Sequence, residues 1–335
     1  MGSAAAHEPG AGRAKGNPVT RVPRDAGAAL MRRIAGELRA LVELWLLPLA
    51  VVVLPYRAGI AFARVLARTL PLYREAGDAG AARWREVVPG GDDDAFRTDF
   101  RLAQLVDHAD LFWVLTRSRA FLRRRLAAPH FDLAPGRPLV VLSFHYGQGM
   151  WLLDALAAQG HPTRYVSIRL DRAEAPSTLA YAYARLRIAM VGRLAGVAPI
   201  FTGGARRAIG DALAAGTGVY GLVDVPVPGG AAAEANAALL GYPVLLPAGL
   251  LESAAGQGAS ALVLTSRVTS AGARVVEAKS FGRVEDVDIA ALASVLGDRL
   301  AVAPASWHFW HLWRSFAAQP KGTALRSGGR PAEAA

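Results

Sequence analysis

The chain has 335 residues and no cysteine. That excludes a disulfide framework, a thiolate nucleophile and a cysteine-ligated metal site, and it fits a reducing compartment. It also lacks a G-x-S-x-G elbow, a P-loop and any His/Asp cluster with zinc spacing, so neither a metal nor a cofactor is expected. No repeat of fixed period runs through it. Acid is in short supply: 38 Lys and Arg stand against 27 Asp and Glu, a formal net charge of +11. Such a surplus suits nucleic acid or an anionic lipid surface. The arginines are scattered or lie beside apolar segments, with no recognisable nucleic-acid motif, and this favours the lipid surface over nucleic acid.

Long apolar runs are missing too, although 53% of the residues are hydrophobic and the mean hydropathy is +0.24. The run LWLLPLAVVVLPY, Leu44 to Tyr56, is thirteen uncharged residues interrupted by Pro48 and Pro55. Crossing the hydrocarbon core takes about 20. Its flanks are basic: Arg32, Arg33 and Arg39 before it, Arg57, Arg64 and Arg68 after it. Trp45 and Tyr56 are aromatics of the type that settles at headgroups. The run is expected to lie in, or dip into, one leaflet. The alternative is an ordinary buried helix with a proline kink.

What is present is an alternation of strands and helices. Residues 92–126 show apolar positions at helical spacing, ending in the basic knot Arg123, Arg124 and Arg125, a solvated helix end or a ligand site. From Pro138 onward, PLVVLSF, TRYVSIRL, VAPIF and VYGLVDV read as strands separated by helices. ASALVLTSRV and ARVVEAKSF read as a strand pair, DIAALASVLGDRLAVAP as a helix, and SWHFWHLWRSF as an amphipathic helix covering the sheet or touching headgroups. The pattern predicts an α/β fold with a mixed central sheet flanked by helices. Residues 1–27 read as a disordered basic arm, 28–70 as a membrane-associating helical segment, 71–318 as the α/β domain and 319–335 as a disordered tail.

GTGVYG, with Gly216, Gly218 and Gly221, matches a dinucleotide loop in letters alone. It follows a helix and enters a strand, the reverse of the required context. Gly216 is therefore read as the stop of a helix.

VVLSFHYGQGM, Val140 to Met150, is the informative stretch. His145 falls where a buried strand ends, the position at which α/β sheets build their sites. An imidazole there can take a proton from a hydroxyl near neutral pH, or simply bond a loop carbonyl. Gly147 and Gly149 allow close approach of backbone and substrate.

LPYRAGIAFARVLART, LVVLSFHYGQGMWLLDAL, YVSIRL, GVYGLVDVPVPGG and PASWHFWHLWRSF occur in this order from Leu54 to Phe316. Together they resemble the bacterial lipid A biosynthesis acyltransferase family, the lauroyl/myristoyl late acyltransferases. These sit within the glycerolipid acyltransferases that use a His-x4-Asp/Glu motif. The similarity covers about residues 41 to 316. It implies a glycerolipid-acyltransferase-like fold and transfer of a fatty acyl chain from acyl carrier protein or coenzyme A. The acceptor would be a hydroxyl of a membrane lipid or glycolipid, such as lipid A. It also implies attachment at the cytoplasmic face of the bacterial inner membrane, peripheral or through a single helix. His145 would be the base, Gly147, Gln148 and Gly149 the substrate-binding loop, and Arg169 a partner for a phosphate or carboxylate. Arg185, Arg187 and Arg193 would extend that basic surface.

The chain departs from the family where the acid should stand. Met150 occupies the fifth position after His145, and a thioether cannot orient or stabilise an imidazolium. Two carboxylates are candidates to replace the acid. Asp154 lies on the same face of the expected helix but ~6 Å further along its axis. Asp224 follows an apolar strand and precedes Val225 and Pro226, where the family is more polar. The other reading is a catalytically impaired pseudoenzyme that binds lipid or acyl groups in a regulatory or accessory role.

Overall fold

The computed structural model describes residues 26–133, 137–226, 234–269 and 271–316. The expected arm up to residue 25 and the expected tail lie outside the described residues.

The N-terminal half is helical. It comprises α1 (Ala26–Ala40), a π-helical turn (Leu41–Leu46), α2 (Leu47–Val53), α3 (Tyr56–Thr69), α4 (Arg74–Val87), α5 (Asp93–Thr116) and α6 (Arg119–Leu126). The helix α5 starts where the Asp92 carboxylate accepts hydrogen bonds from the Asp94 and Ala95 amides, at 2.9 and 3.0 Å. Asp93 and Asp94 add negative charge to its first turn, which favours the positive end of the helix dipole. Its apolar stripe, including Phe100, Leu105 and Leu111, is buried.

The α/β half follows as β1 (Leu139–Ser143), α7 (Leu152–Ala158), β2 (Thr163–Ser167), α8 (Thr178–Ala195), β3 (Ile200–Phe201), α9 (Ala205–Ala214) and β4 (Gly218–Leu222). It continues with β5 (Glu234–Leu239), β6 (Tyr242–Pro247), α10 (Gly249–Ala254), β7 (Ser260–Val268), β8 (Arg274–Arg283) and α11 (Ile289–Val302). Short 3-10 turns and α12 (Trp313–Phe316) close the described chain. The six-stranded sheet has the order β3-β2-β4-β1-β7-β8. Pairing is parallel up to β7 and antiparallel between β7 and β8. This is a mixed sheet with helices on both faces. Every residue of β1 is buried, as expected of a central strand covered on both sides. Pleating sends Val141 into one apolar cluster with α2, α3, α5 and α7, and Val140 and Leu142 into another with α9 and α11. β5 and β6 form a separate antiparallel hairpin. Its two-residue turn, Leu240 and Gly241, has positive φ at both positions, the conformation that matches strand twist.

The membrane-associating helix expected over residues 28–70 is corrected, and with it the inner-membrane attachment that rested on it. No helix among the described residues is long and apolar enough to cross a membrane. Part of the apolar run is taken up by the fold instead, while Leu46, Leu49 and Val53 remain exposed. Pro55 forces Leu54 into extended backbone, which splits the run into α2 and the start of α3. Val51, Val52 and Tyr56 are buried in the core. Trp45 donates its indole N–H to the Leu179 carbonyl at 3.2 Å and packs edge-on against Phe112 and Tyr183. The Tyr56 hydroxyl accepts from Arg274 Nε at 3.1 Å. Both aromatics expected at a headgroup boundary are therefore engaged in protein contacts.

The terminal aromatic segment is not one amphipathic helix. It winds through two 3-10 turns into α12, with Trp307, Trp310, Trp313 and Phe316 buried in the cluster beneath the sheet.

Candidate active site

β1 and β4 are adjacent and parallel, with Ser143 opposite Leu222. Two residues past each of these positions stand His145 and Asp224. Matched strands thus deliver an imidazole and a carboxylate to the same end of the sheet, beyond the carboxyl ends of its central strands. His145 Nδ1 is 2.9 Å from Asp224 Oδ1. The His145 amide donates to Asp224 Oδ2 at 2.7 Å, and the Trp307 indole N–H donates to the same oxygen at 2.8 Å. Asp224 is fully buried, and these donors replace the water it has lost.

An ionised carboxylate can only accept hydrogen bonds. The proton of a neutral His145 is therefore on Nδ1, and Nε2 remains as the basic nitrogen. The ring stacks on Phe309, with centroids 4.0 Å apart. It lines a cavity of about 260 Å³. One part of the wall is apolar, with Met150, Leu153, Val191 and Leu222; another is polar, with Asp107, Arg187 and His308.

No protein-family model matches the chain, and no curated protein matches it in sequence.

The remaining sequence candidates separate cleanly. Gly147 and Gly149 line the cavity beside His145. Gly147 has φ +63, and a Cβ there would lie 2.1 Å from the Ser266 carbonyl oxygen. Its amide donates to Ser306 at 2.8 Å, and the next amide donates to Ser266 at 2.7 Å. Gln148 is buried. Its amide group donates to the Ala103 carbonyl at 3.1 Å and accepts from the Val268 amide at 2.8 Å. Gln148 thus ties the loop to α5 and β7 and does not face the cavity. Asp154 sits on α7 between Arg119 and Arg123, each 3.4 Å away. Burial raises its carboxyl above the usual value against the pull of those arginines. It makes no contact with His145. Arg169 also lies apart, exposed and placed over Phe201 at 5.5 Å in a separate groove with Arg185.

Sequence reasoning missed Asp107 and assigned Arg187, Trp307 and His308 to other surfaces. Asp107 pairs with Arg187 at 2.8 Å across α5 and α8. Burial is the largest influence and raises the Asp107 carboxyl, but Arg187 together with the neighbouring His308 and His108 holds the group below its ordinary value. His308 follows Trp307, and its amide donates to the His145 carbonyl at 2.8 Å. Its Nε2 is buried and has no partner among the described residues. Burial pulls His308 down to about 4, so it is neutral near pH 7. One signal was available: Asp107 and Asp110 interrupt an otherwise apolar helical stripe, and acids buried in a core need a partner.

Proposed function

We propose that the protein is an acyltransferase-like enzyme. It moves a fatty acyl chain from a thioester, carried by acyl carrier protein or coenzyme A, to a hydroxyl of a lipid or glycolipid such as lipid A. The observation that carries this reading is the 2.9 Å contact between His145 Nδ1 and Asp224 Oδ1 at the wall of a cavity with polar and apolar sides. In the proposed reaction, His145 Nε2 takes the proton of the acceptor hydroxyl as its oxygen attacks the thioester carbonyl carbon. Asp224 stabilises the imidazolium that forms. The carbon–sulfur bond then breaks, and the imidazolium returns the proton to the leaving thiolate. The resemblance of the loop and strand order to the late acyltransferases supports the same chemistry. Asp224 would stand in for the acid that Met150 replaces.

The test is transfer of a radiolabelled acyl chain from acyl carrier protein or coenzyme A to a glycolipid acceptor. Wild type should transfer label, and His145→Ala should lose on the order of 10³-fold or more. Transfer that survives His145→Ala would overturn the mechanism. A wild type without transfer to any such acceptor would favour the pseudoenzyme.

A further inference from the structure

Away from the His145 cavity, α3, the end of α6 and the turn between β7 and β8 enclose a second cavity of about 430 Å³. Arg57, Arg64, Arg124 and Arg125 line it, and no carboxylate stands on its wall among the described residues. None of the four makes an ion pair among those residues, although many other arginines of the chain do. Arg57 and Arg64 are seven residues apart, two helical turns, and so share one face of α3. Arg64 Nε is buried without a hydrogen-bond partner. The guanidinium of Arg125 is held over the rings of Tyr56 and Phe121, at 5.0 and 5.4 Å. A fifth arginine, Arg274, forms the floor but is already neutralised by Asp110, with both side chains fully buried.

Four like charges gathered in a concavity repel one another, and the field they sum attracts an anion. Guanidinium forks match the oxygens of phosphate in pairs. One carboxylate could occupy only a fraction of the donors available, whereas adjacent phosphoryl groups would use them all. We infer that this pocket binds a small ligand carrying a diphosphate or two neighbouring phosphates, with Arg57, Arg64, Arg124 and Arg125 as its ligating residues. The inference stands independently of the chemistry assigned to His145.

Calorimetric titration of the full chain with inorganic pyrophosphate tests it. One equivalent should bind, more tightly than orthophosphate, with affinity falling as salt is raised. Arg57→Gln with Arg124→Gln should weaken binding on the order of tenfold or more. Arg57→Lys with Arg124→Lys keeps the charge but loses the forks, and should weaken it less. Arg32→Gln with Arg33→Gln, on exposed α1, should change nothing. Competition by a nucleoside diphosphate or by a short-chain phosphatidic acid separates a nucleotide from a lipid headgroup as the phosphate source. The proposal is overturned by any of three results: no binding of pyrophosphate, equal loss in the α1 variant, or failure of both competitors.

Discussion

Asp224 and Asp154 are both buried aspartates, yet their surroundings assign them opposite roles. Asp224 has its two oxygens filled by His145 and Trp307. Asp154 faces arginines on α6. With Asp224 already bonded to Nδ1, the remaining nitrogen, Nε2, is the one that takes the acceptor proton in the proposed reaction, so an acid at position 150 has no orienting role left. Met150 is almost wholly enclosed, 4% exposed, and packs in the apolar wall of the cavity. Placing there the acid that the late acyltransferases carry should therefore not raise activity. Met150→Glu is expected to leave acyl transfer no higher than wild type and to lower stability by about 1–3 kcal/mol, since the new carboxylate is buried without a partner. Urea unfolding and the transfer assay, run on the same preparation, read both effects.

At the scale of elements, the loop after β1 is held by its backbone. Gly147 forms one isolated bridge with β7 through Ser266, and Tyr146 forms another with Trp307. Gly147→Ala combines a strained positive φ with a Cβ at 2.1 Å from a carbonyl oxygen. It should lower stability by about 1–3 kcal/mol and displace His145, seen as a lower melting temperature and a loss of transfer. The strand–helix order of this half was legible because buried strands read as unbroken apolar runs and helices as 3.6-residue stripes. VVLS, VYGL and the β7 stretch ALVL show such runs. β5 was not, since EANAAL is rich in alanine and carries little strand signal. The apolar run at Leu44 was misread because composition and flanking charge do not distinguish a lipid surface from α5 as the surface it packs on. His145 was legible from its place at a strand end. Its pairing with Asp224 depends on β1 and β4 being neighbours, which spacing along the chain does not encode. Trp307 and His308 reach the site only because the terminal segment folds back under the sheet.

Across the whole molecule, buried imidazoles couple stability to pH. Burial, with repulsion from Arg187, pulls His108 down to about 3, and His308 lies at about 4. Both are neutral in the folded protein near pH 7, whereas an unfolded histidine takes up a proton below about 6.5. The unfolded chain then binds more protons, so stability rises with pH in this window. It is fully present above about pH 6.5 and is lost as pH falls towards 4. Unfolding midpoints measured across that range should fall with acid, and His308→Asn should flatten the slope. The packing that buries these imidazoles also brings α5, α8, two parallel strand ends and the terminal tryptophans around one cavity. The claim on which the account rests is that Asp224, not Asp154, orients His145. Single-turnover acyl transfer by Asp224→Asn and Asp154→Asn, at a temperature where both are folded, tests it most directly. The account predicts a loss on the order of 10⁴-fold for Asp224→Asn and a near wild-type rate for Asp154→Asn. Equal losses in the two variants, or a wild-type rate in Asp224→Asn, would contradict it.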